Sequence, residues 1–418
     1  NYRPYSITGD SKTTFSGNLD LSLNSDEDMA GLALVGMSLN LSSPVSDSYK
    51  AILENTGTIT LKDSPTVETI IGMQLDESSA SYVRNGELIN SGHIIVETST
   101  KDPSGSLWSG GIGGVGMLVS ALPSASSVLV KPGNITAKGI GVNALELAGD
   151  FNNTNVKIDG TGGKLVVEGS DSTALYLDRD FSSSGTNALE NISNLNILLN
   201  GNTTFAVNYD HSSSHSVFLP VILNDSVISS LEFGENSMRS AAVYHGSVGN
   251  SDLILDASLA NAIGQINAGT LNTVVINHSG SLKNYMPINI GSGATAMTGI
   301  VSRETSTENY ADIINHSSDG LYKEPWYIEE IHIGGLGLVA PQYDTYFNSY
   351  ILNKGNIEMA GNYSTAIYNF DDNFVSESDH ITAEGNLATA VYAGSYNLNS
   401  ISNTDIKANR LMVKGDNG

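Results

Sequence analysis

The chain has 418 residues, no cysteine, and 19 Lys and Arg against 44 Asp and Glu, a formal net charge of −25. That balance excludes nucleic acid as a partner, because phosphate binding needs a basic stripe and no Lys or Arg cluster occurs, while the missing cysteine excludes disulfides and thiolate metal sites and suits a chain that crosses an oxidising compartment unfolded. Charged residues are only 15% of the chain, against roughly 25% in ordinary soluble proteins, so polar groups must be satisfied largely without ions.

The opening residues, Asn1-Tyr2-Arg3-Pro4-Tyr5, lack the apolar core of a signal peptide, so an export signal is expected to have been removed. No run of 18 apolar residues predicts a membrane-crossing helix. The pattern that follows is one of short apolar or alternating runs bounded by Gly, Asn, Asp and Ser, such as Leu19-Asp20-Leu21-Ser22-Leu23, Ile94-Ile95-Val96, Leu165-Val166-Val167 and Val274-Val275-Ile276. These read as strands of three to six residues, and helical periodicity is scarce.

Two phrases recur. Asn-x-Gly-x-Ile occurs at residues 55–59, 90–94 and 353–357, with looser copies at Pro132-Gly133-Asn134-Ile135 and from Asn277 to Leu282. Ser364-Thr365-Ala366-Ile367-Tyr368 is echoed from Ser172 to Tyr176, Ser240 to Tyr244 and Ala388 to Tyr392. Tyr368 to Tyr392 is 24 residues, Tyr176 to Tyr244 is 68, read as three periods, and Tyr244 to Tyr368 is 124, read as five. The period is therefore about 22–25 residues, that of a solenoid.

The predicted fold is all-β, a right-handed parallel β-helix of about 12–15 coils forming a single domain over 1–418, with loop insertions at 98–127 and 302–350. Ala174, Ala242, Ala366 and Ala390 are expected to point inward at a site with room only for a methyl, and Gly and Asn are expected to supply positive φ angles at the corners. The 98–127 stretch carries Trp108. The 302–350 stretch crowds Tyr310, Tyr322, Trp326, Tyr327, Tyr343, Tyr346, Phe347 and Tyr350 into a chain that is only 7% aromatic.

Catalytic patterns fail in turn. Gly9-Asp10-Ser11 continues with Lys12 and has no upstream His or Asp, so it is no trypsin-like nucleophile, and Asp379-His380 lacks the lipase spacing. A polygalacturonase needs several carboxylates with Gly-His-Gly and Arg-x-Lys. Here Asp371-Asp372 is one pair, Tyr244-His245-Gly246 is half a match, and no Arg-x-Lys follows. Asp150 with Asn152, Asn153 and Asn155 lacks the repeated Gly-Asp loops of calcium β-rolls, and His211 and His215 sit on a Ser-rich stretch. No catalytic residue, metal or cofactor is therefore expected. Binding is placed on Trp108, Arg303, Tyr310, Lys323, Trp326, Tyr327, Tyr343, Asp371, Asp372 and Asn373, because aromatic rings stack on sugars or anchor interfaces while the charged neighbours select a partner.

The two phrases, the missing cysteine, the acidic low-charge composition and the abundance of Gly, Asn and Ser together resemble the passenger domain of a bacterial type V autotransporter, over most of residues 50–415. Within that family the chain is similar to monomeric adhesins of enterobacteria. The resemblance implies a β-helix at the bacterial cell surface or secreted, anchored in the outer membrane through a C-terminal barrel that this chain lacks. It also implies a non-enzymatic virulence function: cell adhesion through polar ladders of Asn, Asp, Ser and Lys and protruding loops that bind host glycosaminoglycan or a matrix protein such as fibronectin. Self-association leading to aggregation and biofilm is the alternative, and a polysaccharide-active enzyme the third.

Overall fold

The computed structural model describes residues 5–8, 12–22, 33–40, 50–62, 69–76, 85–98, 113–120, 127–148, 155–177, 189–209, 221–246, 252–303, 306–322, 331–340, 350–370, 373–394 and 403–415. Among them the chain forms strands throughout, with one short helix, Leu259–Ile263. Two compact units are present, Asn1–Val221 with Ser226–Leu231, and Ile222–Asp225 with Glu232–Gly418.

Each unit is a parallel β-helix. In the first, the chain passes from a main sheet (Tyr5–Thr8, Ala33–Asn40, Thr69–Asp76, Gly114–Ser120, Val142–Ala148, Ser170–Leu177, Asn202–Tyr209) to a second sheet that includes Ala51–Asn55 and Asn85–Asn90. It then enters a third, which includes Thr58–Lys62, His93–Thr98 and Asn134–Gly139, before returning to the first. The second unit repeats this with main-sheet strands Ala241–Gly246, Thr273–Ser279, Thr298–Ser302, Leu336–Ala340, Thr365–Phe370 and Thr389–Gly394. Its second sheet contains Asp252–Leu255, Ser281–Asn284, Ser306–Asn309, Tyr350–Asn353, Asn373–Ser376 and Asn403–Ile406. The seven and six main-sheet strands agree with the expected number of coils.

Strand register corrects the expected period. Asn353 and Ser376 stack at a separation of 23 residues and Asn284 and Asn309 at 25, but Asn309 and Asn353 at 44. Tyr244 reaches the register of Tyr368 through Ile276, Val301 and Val339, in four steps rather than five. Only the shortest coils have the 22–25-residue length, and the remainder carry inserted chain.

Second-sheet and third-sheet strands alternate between buried and more exposed positions, as in Ala51–Asn55 and Thr58–Lys62, where Leu53, Ile59 and Leu61 are fully buried. The main sheet is covered on both faces over much of its extent: every residue of Ala241–Gly246 is buried, and Val35, Ile71 and Val115 form a buried cluster of their own. Ala174, Ala242, Ala366 and Ala390 are buried as expected. The register extends that column of small residues to Gly36, Gly72, Gly116, Ala144 and Ala206 in the first unit. In the second it takes in Gly299 and Gly337, but buried Val274 lies between Ala242 and Gly299 and exceeds the expected methyl. A Cβ on Gly337 would lie 2.3 Å from the Ala366 carbonyl oxygen and 2.9 Å from Cγ2 of Ile357. The neighbouring strand's carbonyl and the isoleucine of Asn-x-Gly-x-Ile together crowd these glycine positions.

The glycines of the Asn-x-Gly-x-Ile phrase serve another purpose than expected. Gly57, Gly92 and Gly355 do not have positive φ; a Cβ on Gly92 would overlap the carbonyl oxygen of Gly57, and one on Gly355 that of Ala311. They are glycine because successive coils approach too closely for a side chain. Positive φ is supplied as expected by other glycines, among them Gly133, Gly139, Gly141 and Gly280, and by Asn194. It is also supplied by other residue types at the corner leading into the main sheet, in Asp171, Thr203, Arg239, Leu271, Ala296, Tyr363 and Leu387, with φ between 47° and 56°.

The expected insertions shrink as well. Gly114–Ser120, inside 98–127, is a main-sheet strand, and Ser306–Asn309, Ile313–Asn315 and Leu336–Ala340, inside 302–350, are strands of all three sheets. What departs from the coil there is an antiparallel pair, Gly320–Tyr322 with Ile331–Ile333. Its base is fixed by His332, which stacks on Tyr363 at 4.8 Å and faces Asp319 at 3.4 Å.

Candidate functional site

Three second-sheet strands of the second unit end in asparagine: Asn284, Asn309 and Asn353, all fully buried. Asn284 Nδ2 donates to Asn309 Oδ1 at 2.8 Å, Asn309 Nδ2 to Asn353 Oδ1 at 2.7 Å, and Asn353 Nδ2 to Ser376 Oγ at 3.2 Å. Each amide also donates to the carbonyl two residues on, Met286, Ala311 or Gly355, closing the turn. The first unit uses the same device, with Asn55 Nδ2 donating to Asn90 Oδ1 at 2.8 Å and Asn90 Nδ2 to Pro132 O at 2.7 Å. These asparagine ladders lie inside the coils, where buried amides have to be paired.

With the asparagine held inside, the next residue is directed outward. In the second unit the column so formed is Tyr285, Tyr310, Lys354, Glu377 and Lys407, each held by a backbone hydrogen bond to the preceding coil, as in Tyr310 N to Asn284 O at 2.8 Å and Lys354 N to Asn309 O at 2.7 Å. The rings of Tyr285 and Tyr310 stack at 4.8 Å and 7°, and Lys354 Nζ lies 5.5 Å from the centroid of Tyr310. The Tyr310 hydroxyl donates to Glu308. That hydrogen bond, with burial and nearby charge adding to it, pushes the phenol up to about 12, so Tyr310 is neutral throughout the physiological range.

Two further columns complete this outward face. One contains Ser306, Tyr350 and Asn373, aligned by register, with Tyr350 42% exposed. The other contains Lys283, Glu308, Leu352 and Val375. Lys283 pairs with Asp252 at 3.9 Å, and Lys407 lies 3.8 Å from Glu377 and 3.3 Å from Asp405.

Of the residues expected to bind, Tyr310 and Asn373 share this face, in different columns and two coils apart. Arg303 does not join them; it lies before the Ser306–Asn309 strand while Tyr310 follows it, and its backbone N donates to Asn277 O at 2.8 Å. Trp108, Lys323, Trp326, Tyr327, Tyr343, Asp371 and Asp372 lie outside the described residues. Tyr285, Lys354 and Tyr350 belong to the face but were not among the expected residues. For the first two a signal existed, since each follows a ladder asparagine, in Asn284-Tyr285 and Asn353-Lys354.

The half-matched hydrolase histidine, His245, is fully buried, with Nδ1 2.9 Å from Asn277 Oδ1. Burial lowers its pKa to about 4 against the opposing effect of the Asn277 hydrogen bond, leaving it neutral at pH 7. Asn277 continues inward to Thr307 Oγ1 at 2.9 Å, which meets Ser302 Oγ at 2.7 Å. No group of three or more His, Asp or Glu among the described residues could hold a metal, and no helix among them is long and apolar enough to cross a membrane.

In the first unit the exposed edge of the third sheet carries Lys62, Glu97, Lys138 and Glu168 on successive coils, with Lys62 to Glu97 at 3.2 Å and Lys138 to Glu168 at 3.3 Å. No protein-family model matches the chain, and comparison with curated proteins and with solved structures returns no match.

Proposed function

We propose that this chain is the β-helical passenger of a bacterial autotransporter adhesin, displayed at the cell surface, and that it engages a component of the host extracellular matrix. The observation that supports this reading is the solvent-facing column Tyr285–Tyr310–Lys354, with exposed Tyr350 on the same sheet face. Tyrosines on such a surface are strong interface anchors. Here they are held by the buried asparagine ladder beneath, so little side-chain freedom remains to be lost on binding. The partner is a matrix protein such as fibronectin or a glycosaminoglycan. Burial of His245 in its neutral form argues against a polygalacturonase.

Immobilised fibronectin and glycosaminoglycan test the proposal. Saturable binding that weakens in Tyr285→Ala, with thermal unfolding unchanged, supports it, and an absence of binding to either class of ligand sinks it.

A second reading, self-association, draws on the alternation of Lys62, Glu97, Lys138 and Glu168. A column of alternating sign is complementary to a second copy displaced by one coil, and each contact is weak and salt-sensitive. Sedimentation at low salt should then show a concentration-dependent dimer that Glu97→Lys disrupts.

A further inference from the structure

Resting on the adhesin reading, we propose that the outward face of the second sheet in the second unit binds an uncharged glycan, seated on Tyr350 and held by the Asn373 amide and the Ser306 hydroxyl. These three residues occupy one column on three successive coils. Neighbouring strands lie about 4.8 Å apart, so a ring flanked by an amide and a hydroxyl spans the size of one sugar residue. Among the described residues the side chains of Ser306 and Asn373 make no hydrogen bond. A hexose offers C–H groups to an aromatic ring and hydroxyls that donate and accept. An amide supplies both roles, and so does a serine hydroxyl.

Charge on the face selects against ionic ligands. Its three cations among the described residues each have a neighbour: Lys283 with Asp252, Lys407 with Glu377 and Asp405, and Lys354 over the Tyr310 ring. The Ser306, Tyr350 and Asn373 column itself carries no lysine for a sulfate or a sialic acid carboxylate. Among the described residues of the face Asp252, Asp256, Glu308, Glu377 and Asp405 outnumber the lysines, so that of the matrix ligands proposed above the column favours an uncharged one. Glu308 already accepts from the Tyr310 hydroxyl and Asp256 from the Ser258 hydroxyl at 2.7 Å, and neither lies in the Ser306, Tyr350 and Asn373 column. A column that offers an aromatic ring, an amide and a hydroxyl and no charge of its own fits a ligand with ring faces and hydroxyls.

The purified protein is tested against a panel of immobilised neutral glycans, against heparin, and against fibronectin before and after enzymatic removal of its glycans. Binding to neutral glycans that changes little from low to high salt, and that Tyr350→Ala and Asn373→Ala each weaken about tenfold without changing the melting curve, is the expected result. Fibronectin binding that survives glycan removal overturns this inference and leaves the adhesin reading standing. Salt-sensitive binding to heparin alone does the same. Neutral-glycan binding unaffected by either substitution removes this face as the site, and failure to bind any of the three ligands overturns both proposals.

Discussion

A methyl group placed on Gly72 would lie 2.5 Å from Cγ2 of Ile94, so the smallest residue of the main sheet and the isoleucine of the Asn-x-Gly-x-Ile phrase meet across the core. The same methyl would sit 2.5 Å from the carbonyl oxygen of Gly116 on the neighbouring strand. A flexible side chain can yield, but a backbone carbonyl in a sheet cannot without disturbing the ladder. Gly72→Ala is expected to destabilise the first unit by about 1–3 kcal/mol, seen as a lower urea midpoint. An unchanged midpoint would show that the column tolerates a methyl there.

Interior rungs of the asparagine ladder should matter more than its ends. Asn309→Ala deprives Asn284 Nδ2 of its acceptor on the next coil and Asn353 Oδ1 of its donor, both in a fully buried setting. The expected loss is roughly 2–5 kcal/mol. Asn284→Ala removes only one inter-rung hydrogen bond among the described residues and should cost less. Equal losses in chemical denaturation would argue that the ladder is not cooperative.

Acid should weaken the second unit through His245. Its folded pKa of about 4 lies below the ordinary 6.5, so between those values the unfolded chain binds a proton that the folded chain excludes. Stability from this residue is complete above the unfolded pKa and declines as pH falls towards about 4, by roughly 3 kcal/mol in all. Denaturant midpoints at pH 7.5 and 4.5 should converge in His245→Gln relative to the parent chain. A parent chain with the same pH slope as the variant would refute the assignment.

Strain at the left-handed corner can be relieved. Leu387 has φ of 56° and is 47% exposed, so its side chain contributes little packing to offset the conformation. Left-handed backbone costs an L-residue roughly 1–2 kcal/mol, of which glycine's extra unfolded-state entropy takes back about half. Leu387→Gly should therefore raise stability by about 0.5–1 kcal/mol, detectable as a higher melting temperature. A drop would mean that Leu387 packs more firmly than its exposure implies.

Much of this fold was legible because period-2 burial and repeated phrases write the inward columns directly into the sequence. Ala174, Ala242, Ala366 and Ala390 lie where their shared position placed them. Coil length was not legible: aromatic crowding marked 302–350 as inserted chain, but nothing in it separated the strands Ser306–Asn309, Ile313–Asn315 and Leu336–Ala340 from the insertion. One coil of 44 residues from Asn309 to Asn353 therefore could not be told from nearly two of 23. Glycine was ambiguous in the same way. Gly92 and a positive-φ glycine such as Gly133 look alike in sequence, yet the first is selected for the absence of a side chain against Gly57. At the candidate site, Tyr310 drew attention through local aromatic density, whereas Tyr285 lies outside that dense stretch and is marked only by the ladder asparagine before it, whose role becomes visible with the stacking of the two rings.

The corner that turns into the main sheet holds Asp171, Thr203, Arg239, Leu271, Ala296, Tyr363 and Leu387 in one backbone conformation. Acid, hydroxyl, guanidinium, aliphatic and phenol groups are all accepted there, so the bend is specified by the coils around it and not by its occupant. Where the occupant is exposed, as at Leu387, the corner is a handle that can be exchanged by mutation or by grafting while the strands on either side keep their register; buried Ala296, and Tyr363, which stacks on His332, are not.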